Sequence, residues 1–442
     1  MTVGFVVPFT RRWAIRHHSG WSVDPVRKIV VTMDPMPSQI AWLDASSEEQ
    51  RRMRDIIQMF TDREARDELG IGTVRDALGD MLFPGTSTLH TRARYLLFVP
   101  WIYTEAARSR NPVGAAERFE RQLVTAFADA DDSDGLLGSR VGTGLKTLPS
   151  QIYWAALGTY GIRHDAAATR ESVLLADETV TMESDDSVRI QGTWHGSLPA
   201  RPPGFPTSVP SGFALTREEA EWLRDRMVTA APGTLLEYFI HHPPRGGSAF
   251  PWEDAAAGGV TGPLRSQLDH ARAFSSVIHG AQLLYNLMLA ERYEAAGFEG
   301  HEDLVEEYES RLAGWAHELP DEAPIATWDV HELILLANGQ RTRPVPEATQ
   351  LFVNNWTDLV REHFARQDPI SSLTHSPAAR ELIIRREKQT KGQNGRLLSD
   401  KRLSSWGGAS GAARLNFRWS YVQRILEDLH NGLNAQWEPL SA

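Results

Sequence analysis

Apolar residues recur at intervals of three and four along most of the chain, which is the spacing of one face of an α-helix. The pattern becomes regular from Ser46 onward, where one predicted helical face carries Met53, Ile56, Ile57 and Phe60. It predicts further helices over 73–82, 89–108, 114–128, 216–230, 263–295, 302–318, 328–337, 346–365, 376–390 and 410–429. The sequence therefore predicts a mainly α, multi-helical fold.

One part of the N-terminal half departs from this pattern. Residues 145–163 predict a short helix that begins at Pro149-Ser150 and ends at Gly161. Residues 171–196 then alternate in ETVTM and SVRIQG, which is typical of a small β-hairpin. This order predicts a small α+β or winged-helix-like insert. The short helix is rich in aromatic residues and has few cations, so a packed structural helix fits it better than a groove-reading one.

The periodic and non-periodic stretches divide the chain into four expected parts. Residues 1–35 lack periodicity, and we expect them to be disordered or a mis-assigned N-terminal extension. Residues 36–200 predict an N-terminal helical domain that contains the winged-helix-like part. A Pro/Gly-rich linker is predicted at 201–215, followed by a C-terminal helical domain over 216–442.

Composition limits the chemistry. The chain has no cysteine, which excludes disulfides, thiolate metal sites and a cysteine nucleophile, and which fits a cytoplasmic location. No segment approaches the roughly 20 apolar residues that span a bilayer, so we expect no membrane partner. Phosphate-loop, dinucleotide-binding, GxSxG and HExxH motifs are absent from the sequence. We therefore predict no metal and no cofactor, and the sequence leaves the catalytic residues unknown.

Charge is distributed unevenly along an acidic chain. The formal net charge is −11, yet residues 385–424 contain ten cationic and only two acidic residues. This basic segment carries +8, so the rest of the chain carries −19. A cluster of this size suits contact with a phosphate backbone through counterion release. Glycines allow close approach of the main chain, and Trp406 could stack on a base.

The basic segment supports two interpretations. In the first, it contacts nucleic acid, and the predicted contact residues are Arg386, Lys388, Lys391, Arg396, Lys401, Arg402 and Trp406. In the second, its cations form ion pairs with acidic helices of the same chain, such as the helix that includes Glu302 to Glu309. The two interpretations differ in whether 388–402 faces solvent or the acidic body of the protein.

A second candidate site lies at FPGTSTLHTRARY, residues 83–95. A glycine turn and three hydroxyl residues precede the predicted helix 89–108, and helix N-termini offer free N–H groups to anions. The predicted anion-binding residues are Ser87, Thr88, Arg92 and Arg94. The alternative is ordinary capping by a hydroxyl, with both arginines paired to acidic residues of the chain.

Several long blocks are distinctive, beginning with WLD at 42–44 and continuing at 68–103, 148–162, 270–291 and 385–419, the last including RREKQTKGQNGRL and LNFRW. Together they resemble an uncharacterised bacterial family, domain of unknown function 6361. The resemblance implies no known activity, cofactor or catalytic residue. It does imply an association with helicases, methyltransferases and phospholipase-D-like proteins in anti-phage gene clusters.

Three functions remain open from the sequence. The leading hypothesis is a non-enzymatic nucleic-acid-binding or assembly component of such a bacterial system, with protein partners and an unspecified oligomeric state. The second is an enzyme acting on phosphodiester or phosphate-bearing substrates, built from Arg92, Arg94, Glu387 and Lys391. The third is a structural scaffold in which the basic segment docks against acidic parts of the chain.

Overall fold

The computed structural model describes residues 67–127, 130, 132–175, 180–182, 188–190, 192–209, 211–301, 303–365 and 371–435. All of these lie in one compact unit, 55–442. The expectations for residues 1–35 and for the helical pattern between Ser46 and Phe60 fall outside the described residues. The predicted linker at 201–215 and the two domains on either side of it stay predictions.

The N-terminal half contains five described helices and one hairpin. The helices are α1 (Gly72–Leu82), α2 (Tyr95–Ala106), α3 (Pro112–Ala126), α4 (Pro149–Thr159) and α5 (Arg170–Leu175). Strands β1 (Val180–Met182) and β2 (Val188–Ile190) pair in antiparallel fashion, with Val180 opposite Ile190. The sequence prediction of a small hairpin after a short helix is therefore confirmed.

The C-terminal half consists of helices and connecting loops in its described residues. Its helices are α6 (Arg217–Ala230), α7 (Leu235–His241), α8 (Gly262–Ala295), α9 (Leu304–Glu322), α10 (Val330–Gly339), α11 (Glu347–Ala365), α12 (Ser371–Thr374), α13 (Pro377–Lys391), α14 (Asp400–Leu403) and α15 (Trp419–Asn434). The protein is mainly α, as predicted. No described helix combines the length and the apolar character needed to cross a bilayer.

Helix α8 forms the centre of the C-terminal half. Most of its side chains between Leu268 and Ala290 are buried, in agreement with the apolar run in the sequence. Helix α9 packs closely along it at Gly280, where the Trp315 indole lies against the glycine and donates a hydrogen bond to the Ser276 carbonyl at 2.8 Å. The apolar core continues from here into the N-terminal half.

Two predicted helix starts are wrong. Helix α2 begins at Tyr95 instead of Leu89, so Ser87 and Thr88 do not cap it. The turns before it are held by the buried Tyr153 hydroxyl, which accepts hydrogen bonds from the Thr91 and Arg92 amides and donates one to the Arg92 carbonyl. Tyr153 lies on α4, so this contact has no signal in the sequence around Leu89.

The last helix, α15, begins at Trp419 instead of Ser410. Phe417 and Arg418 have φ angles of 51° and 70°, in the left-handed region that ends or prevents an α-helix. Residues 404–418 form a long turn-rich segment, which we call the connecting loop. Side chains of α8 and α9 satisfy its backbone groups, and this tertiary contact has no signal in the local sequence.

We expect Gly280→Ala to lower the free energy of unfolding by about 1–3 kcal/mol, because overpacking a filled core has that cost. A Cβ at this position would lie 2.3 Å from the Trp315 ring. Gly314→Ala is the matched control on α9, since a Cβ there meets nothing within 4 Å. It should raise stability by up to about 1 kcal/mol through helix propensity. Denaturant unfolding measures both, and equal effects of the two changes would contradict this packing.

Candidate functional site

Arg386, in the basic segment, is buried and serves the fold. It is 4% exposed, and its guanidinium donates to the carbonyls of Leu69, Gly70 and Ala348 and to the Thr349 hydroxyl. Its carbon Cζ lies 5.2 Å from the centre of the Phe352 ring. These contacts use four of the five guanidinium N–H donors, and the burial of the side chain keeps it away from an external phosphate in this conformation.

Five polar residues beside Arg386 form a group that we call the Glu387 cluster, in which Glu68, Tyr285 and Glu387 are buried and Lys391 and Arg396 are partly buried. Glu387 is 0% exposed and accepts hydrogen bonds from the Tyr285 hydroxyl at 2.6 Å and from the Arg396 and Leu397 amides at 2.8 and 2.9 Å. Glu68 forms ion pairs with Lys391 and Arg396. The sequence from 387 to 397 therefore folds around one carboxylate.

The charges of the Glu387 cluster balance, with two carboxylates and two cations. Burial, and then the Glu387 charge, raise the pKa of Tyr285, so its hydroxyl stays protonated and donates to Glu387. An adjoining cavity of about 20 Å³ is lined by Glu68, Gln282 and Tyr285, which is room for about one water molecule. The buried Gln282 Oε1 has no hydrogen-bond partner. The arrangement resembles a satisfied polar network more than an open substrate site.

The C-terminal part of the basic segment also pairs within the chain. Arg418 bonds Asp80 at 2.7 Å and the Thr86 carbonyl at 2.9 Å. Arg414 pairs with Glu322 at the end of α9, and Arg424 pairs with Asp134. The sequence predicted internal ion pairs with the acidic helix at 302–309. The described partners are instead Asp80, Glu322 and Asp134.

Three predicted contact residues remain at the surface, and we call them the exposed cations: Lys388, Lys401 and Arg402. All three are exposed, and none forms an ion pair with a described residue. Arg402 donates to the Asn394 side chain at 2.9 Å. Trp406, by contrast, is 2% exposed and packs against Tyr293 with ring centres 5.8 Å apart. Its indole is therefore not presented for stacking on a base.

The arginines of the second predicted site are buried ion-pair partners. Arg92 bonds Asp428 through Nε at 3.0 Å and Asp132 through Nη2 at 2.6 Å. Burial alone would lower the pKa of Arg92, but the hydrogen bonds to Asp132 and Asp428 raise it. Arg94, 1% exposed, pairs with Glu219 at 2.9 Å. These contacts join the turn before α2 to α6 and α15.

The enzyme hypothesis requires Arg92, Arg94, Glu387 and Lys391 to act on one reacting atom. The described contacts of the two arginines and those of the Glu387 cluster have no residue in common. No group of three or more His, Asp or Glu side chains among the described residues is arranged to hold a metal ion. The structure therefore offers no described contact that unites these four residues.

The family of the chain follows from comparison with known proteins. The model of a family of unknown function, DUF6361, matches residues 37–432. The chain belongs to the DUF6361 family. No curated protein and no solved structure matches it. The match includes the Glu387 cluster and the exposed cations, but the family supplies no activity for either.

Two members of the Glu387 cluster were missed by the sequence interpretation of this DUF6361 chain. Glu68 precedes α1, more than 300 residues before its partners, so no local pattern links them. Tyr285 lies within QLLYN on α8, where polar groups interrupt an apolar run. Such an interruption is a signal, because buried polar groups require hydrogen-bond partners. It identifies a polar contact but does not identify the partner.

The sequence interpretation also missed a serine–histidine pair on the surface. Ser197 Oγ lies 3.0 Å from Nδ1 of His195 and accepts a hydrogen bond from the Trp222 indole. The other ring nitrogen of His195 faces Arg226 at 2.9 Å. Burial, and then the Arg226 charge, lower the pKa of His195. A hydrolase places a carboxylate on that side to stabilise the imidazolium, so this pair lacks the electrostatics of a catalytic triad.

We expect Glu387→Gln to destabilise the protein by about 3–5 kcal/mol, because it removes the anion of a buried, charge-balanced network. The control Glu381→Gln breaks an exposed pair with Arg385 on the same helix and should change stability by less than about 0.5 kcal/mol. Urea unfolding of both variants gives the comparison. Unchanged or increased stability of Glu387→Gln would instead point to a strained functional carboxylate.

Proposed function

We propose that this protein is a non-enzymatic scaffold component in which the basic segment is an internal clamp between distant parts of the chain. The observation that carries the proposal is the set of partners of its cations. Arg396 binds Glu68 from 328 residues away, and Arg418 binds Asp80 from 338 residues away. Arg386 adds hydrogen bonds to the backbone of Leu69 and Gly70.

A clamp of this kind explains the local excess of positive charge in an acidic protein. Isolated charges are costly to bury, so each buried cation needs a carboxylate or several carbonyls. Lys391 and Arg396 form ion pairs with Glu68, and Arg414 forms one with Glu322. The same charges cannot also neutralise phosphates without leaving these carboxylates unpaired. That the protein belongs to a larger, defence-related assembly is an expectation from the family resemblance.

A weaker nucleic-acid contact is the second candidate function, and the exposed cations favour it. Lys388, Lys401 and Arg402 retain their charge at the surface without a described carboxylate partner. Three phosphate contacts give a shallow salt dependence, with a slope of log affinity against log salt of about −3. Engagement of the whole basic segment would give a slope of about −9.

The salt dependence of duplex binding separates these functions. We expect a fluorescently labelled DNA duplex to bind the full chain with a slope no steeper than about −3, measured by anisotropy over a salt series. Changing Lys388, Lys401 and Arg402 together to alanine should abolish this binding and leave the melting temperature unchanged. The matched control replaces three partly or fully exposed arginines that form ion pairs elsewhere: Arg217, Arg224 and Arg265.

If the duplex does not bind at any salt concentration, the nucleic-acid contact is excluded and the internal clamp remains as the proposed function. A slope of about −6 or steeper would contradict the clamp, because more cations would then contact phosphate than the three exposed cations. So would a loss of duplex binding in Arg396→Gln without any loss of stability, since Arg396 would then act at the surface and not on Glu68.

A further inference from the structure

The sequence contains three Asn-Gly pairs, and the structure places them in two different environments. Asn338-Gly339 and Asn431-Gly432 lie within helices α10 and α15. Asn394-Gly395 lies between α13 and α14, at the end of a single helical turn. Asn-Gly pairs are chemically reactive, because glycine has no Cβ to hinder attack of its backbone nitrogen on the preceding side-chain amide. The environment of each pair decides whether that reaction proceeds.

The two helical pairs are held away from reaction. In an α-helix, the amide nitrogen of each residue donates to a carbonyl of the preceding turn and is fixed by it. The side chain of Asn338 is held as well, since its Oδ1 accepts the Val345 amide at 2.7 Å. Gly432 is packed so closely that a Cβ there would lie 2.7 Å from the Ala220 methyl group. Neither glycine nitrogen can approach the neighbouring amide carbon unless the helix unwinds.

The Asn394-Gly395 pair is restrained much less. Asn394 is exposed, so water reaches the side-chain amide that would be hydrolysed. The described backbone contact of the Gly395 nitrogen is to the Gly392 carbonyl at 3.5 Å, which is beyond the usual range of such a hydrogen bond. The pair therefore combines a loosely held nitrogen with an accessible amide carbon.

Arg402 activates the Asn394 amide toward attack. Its Nη2 lies 2.9 Å from the Asn394 side chain, and a guanidinium can only donate, so the atom that faces it is the carbonyl oxygen Oδ1. A cation at this oxygen stabilises the negative charge that develops there when a nitrogen attacks the carbon. The Oδ1 atom of Asn338, by contrast, faces a neutral backbone amide. Accessibility and activation thus coincide at Asn394.

We infer that Asn394 is a site of spontaneous covalent modification, at which the chain converts its own asparagine to aspartate and isoaspartate. The Gly395 nitrogen attacks Asn394 Cγ, the bond from Cγ to Nδ2 breaks, and ammonia leaves with the proton of the Gly395 nitrogen. A cyclic succinimide remains. Water then opens one of its two carbonyls, which gives aspartate or, from the other carbonyl, isoaspartate. Water is the only co-reactant.

The products change both the charge and the length of the chain at this turn. A carboxylate at 394 forms an ion pair with Arg402 and so neutralises one of the exposed cations. Isoaspartate also lengthens the main chain by a methylene group just before the Arg396 and Leu397 amides, which bind Glu387. We therefore expect isoaspartate to loosen these amides from Glu387. This consequence rests on the proposed clamp, whereas the reaction itself does not.

Ageing of the full chain in mildly alkaline buffer tests the inference. Peptide mapping by mass spectrometry measures the conversion at each pair, and enzymatic methylation of isoaspartate identifies that product. We expect conversion at Asn394 well before Asn338 and Asn431. Arg402→Ala should slow the reaction at 394 by up to about fivefold, the effect of an exposed charged contact. Lys401→Ala, the matched control, removes the same charge from the neighbouring exposed residue and should leave the rate unchanged.

Absence of conversion at Asn394, or equal rates at all three pairs, overturns the site. An equal decrease in Arg402→Ala and Lys401→Ala overturns the activation by Arg402. For the consequence, Asn394→Gln serves as the unreactive reference, because its longer side chain does not readily close the ring. The melting temperature of the aged natural chain should fall below that of aged Asn394→Gln. Conversion without this fall supports the reaction but contradicts the hold of Glu387 on residues 396 and 397.

Discussion

The architecture depends on satisfying the backbone of a long irregular loop against a buried helix. The connecting loop, 404–418, crosses α8 and α9 where water has little access, so its carbonyls and amides require partners from the protein. Asn286 on α8 bonds both the amide and the carbonyl of Ser410, Ser275 donates to the Leu415 carbonyl, and Tyr308 on α9 donates to the Gly408 carbonyl. The polar residues of the apolar helix thereby hold the loop.

The basic segment extends this arrangement to the N-terminal half. Arg386 and Arg396 reach the stretch that precedes α1, Arg418 reaches α1 itself, and Arg92 binds Asp428 on α15. Each contact joins parts of the chain that are distant in sequence, and each places a charge where it needs a specific partner. Part of the local surplus of +8 is neutralised by ion pairs to carboxylates elsewhere in the chain, at Glu68, Asp80, Asp134 and Glu322.

Periodicity predicted the helices well, because α8 to α11 and α13 have regular apolar faces whose spacing is visible in the sequence. It gave wrong starts for α2, where Tyr153 from α4 holds the preceding turns, and for α15, where Phe417 and Arg418 are left-handed. For the candidate site, the sequence predicted the basic segment as a contact surface but not which of its cations face the interior of the protein. Whether Arg386 faces solvent or Leu69 depends on a contact across more than 300 residues, which no local pattern contains.

A double-mutant cycle on Glu68 and Arg396 tests the clamp most directly. The free energies of unfolding of Glu68→Gln, Arg396→Gln and the double variant, measured in urea, give the coupling between the two side chains. Their 2.8 Å contact is largely buried, so we expect a coupling above about 1 kcal/mol. A coupling within about 0.3 kcal/mol of zero would show that the pair behaves as an exposed surface contact, and it would contradict the internal clamp.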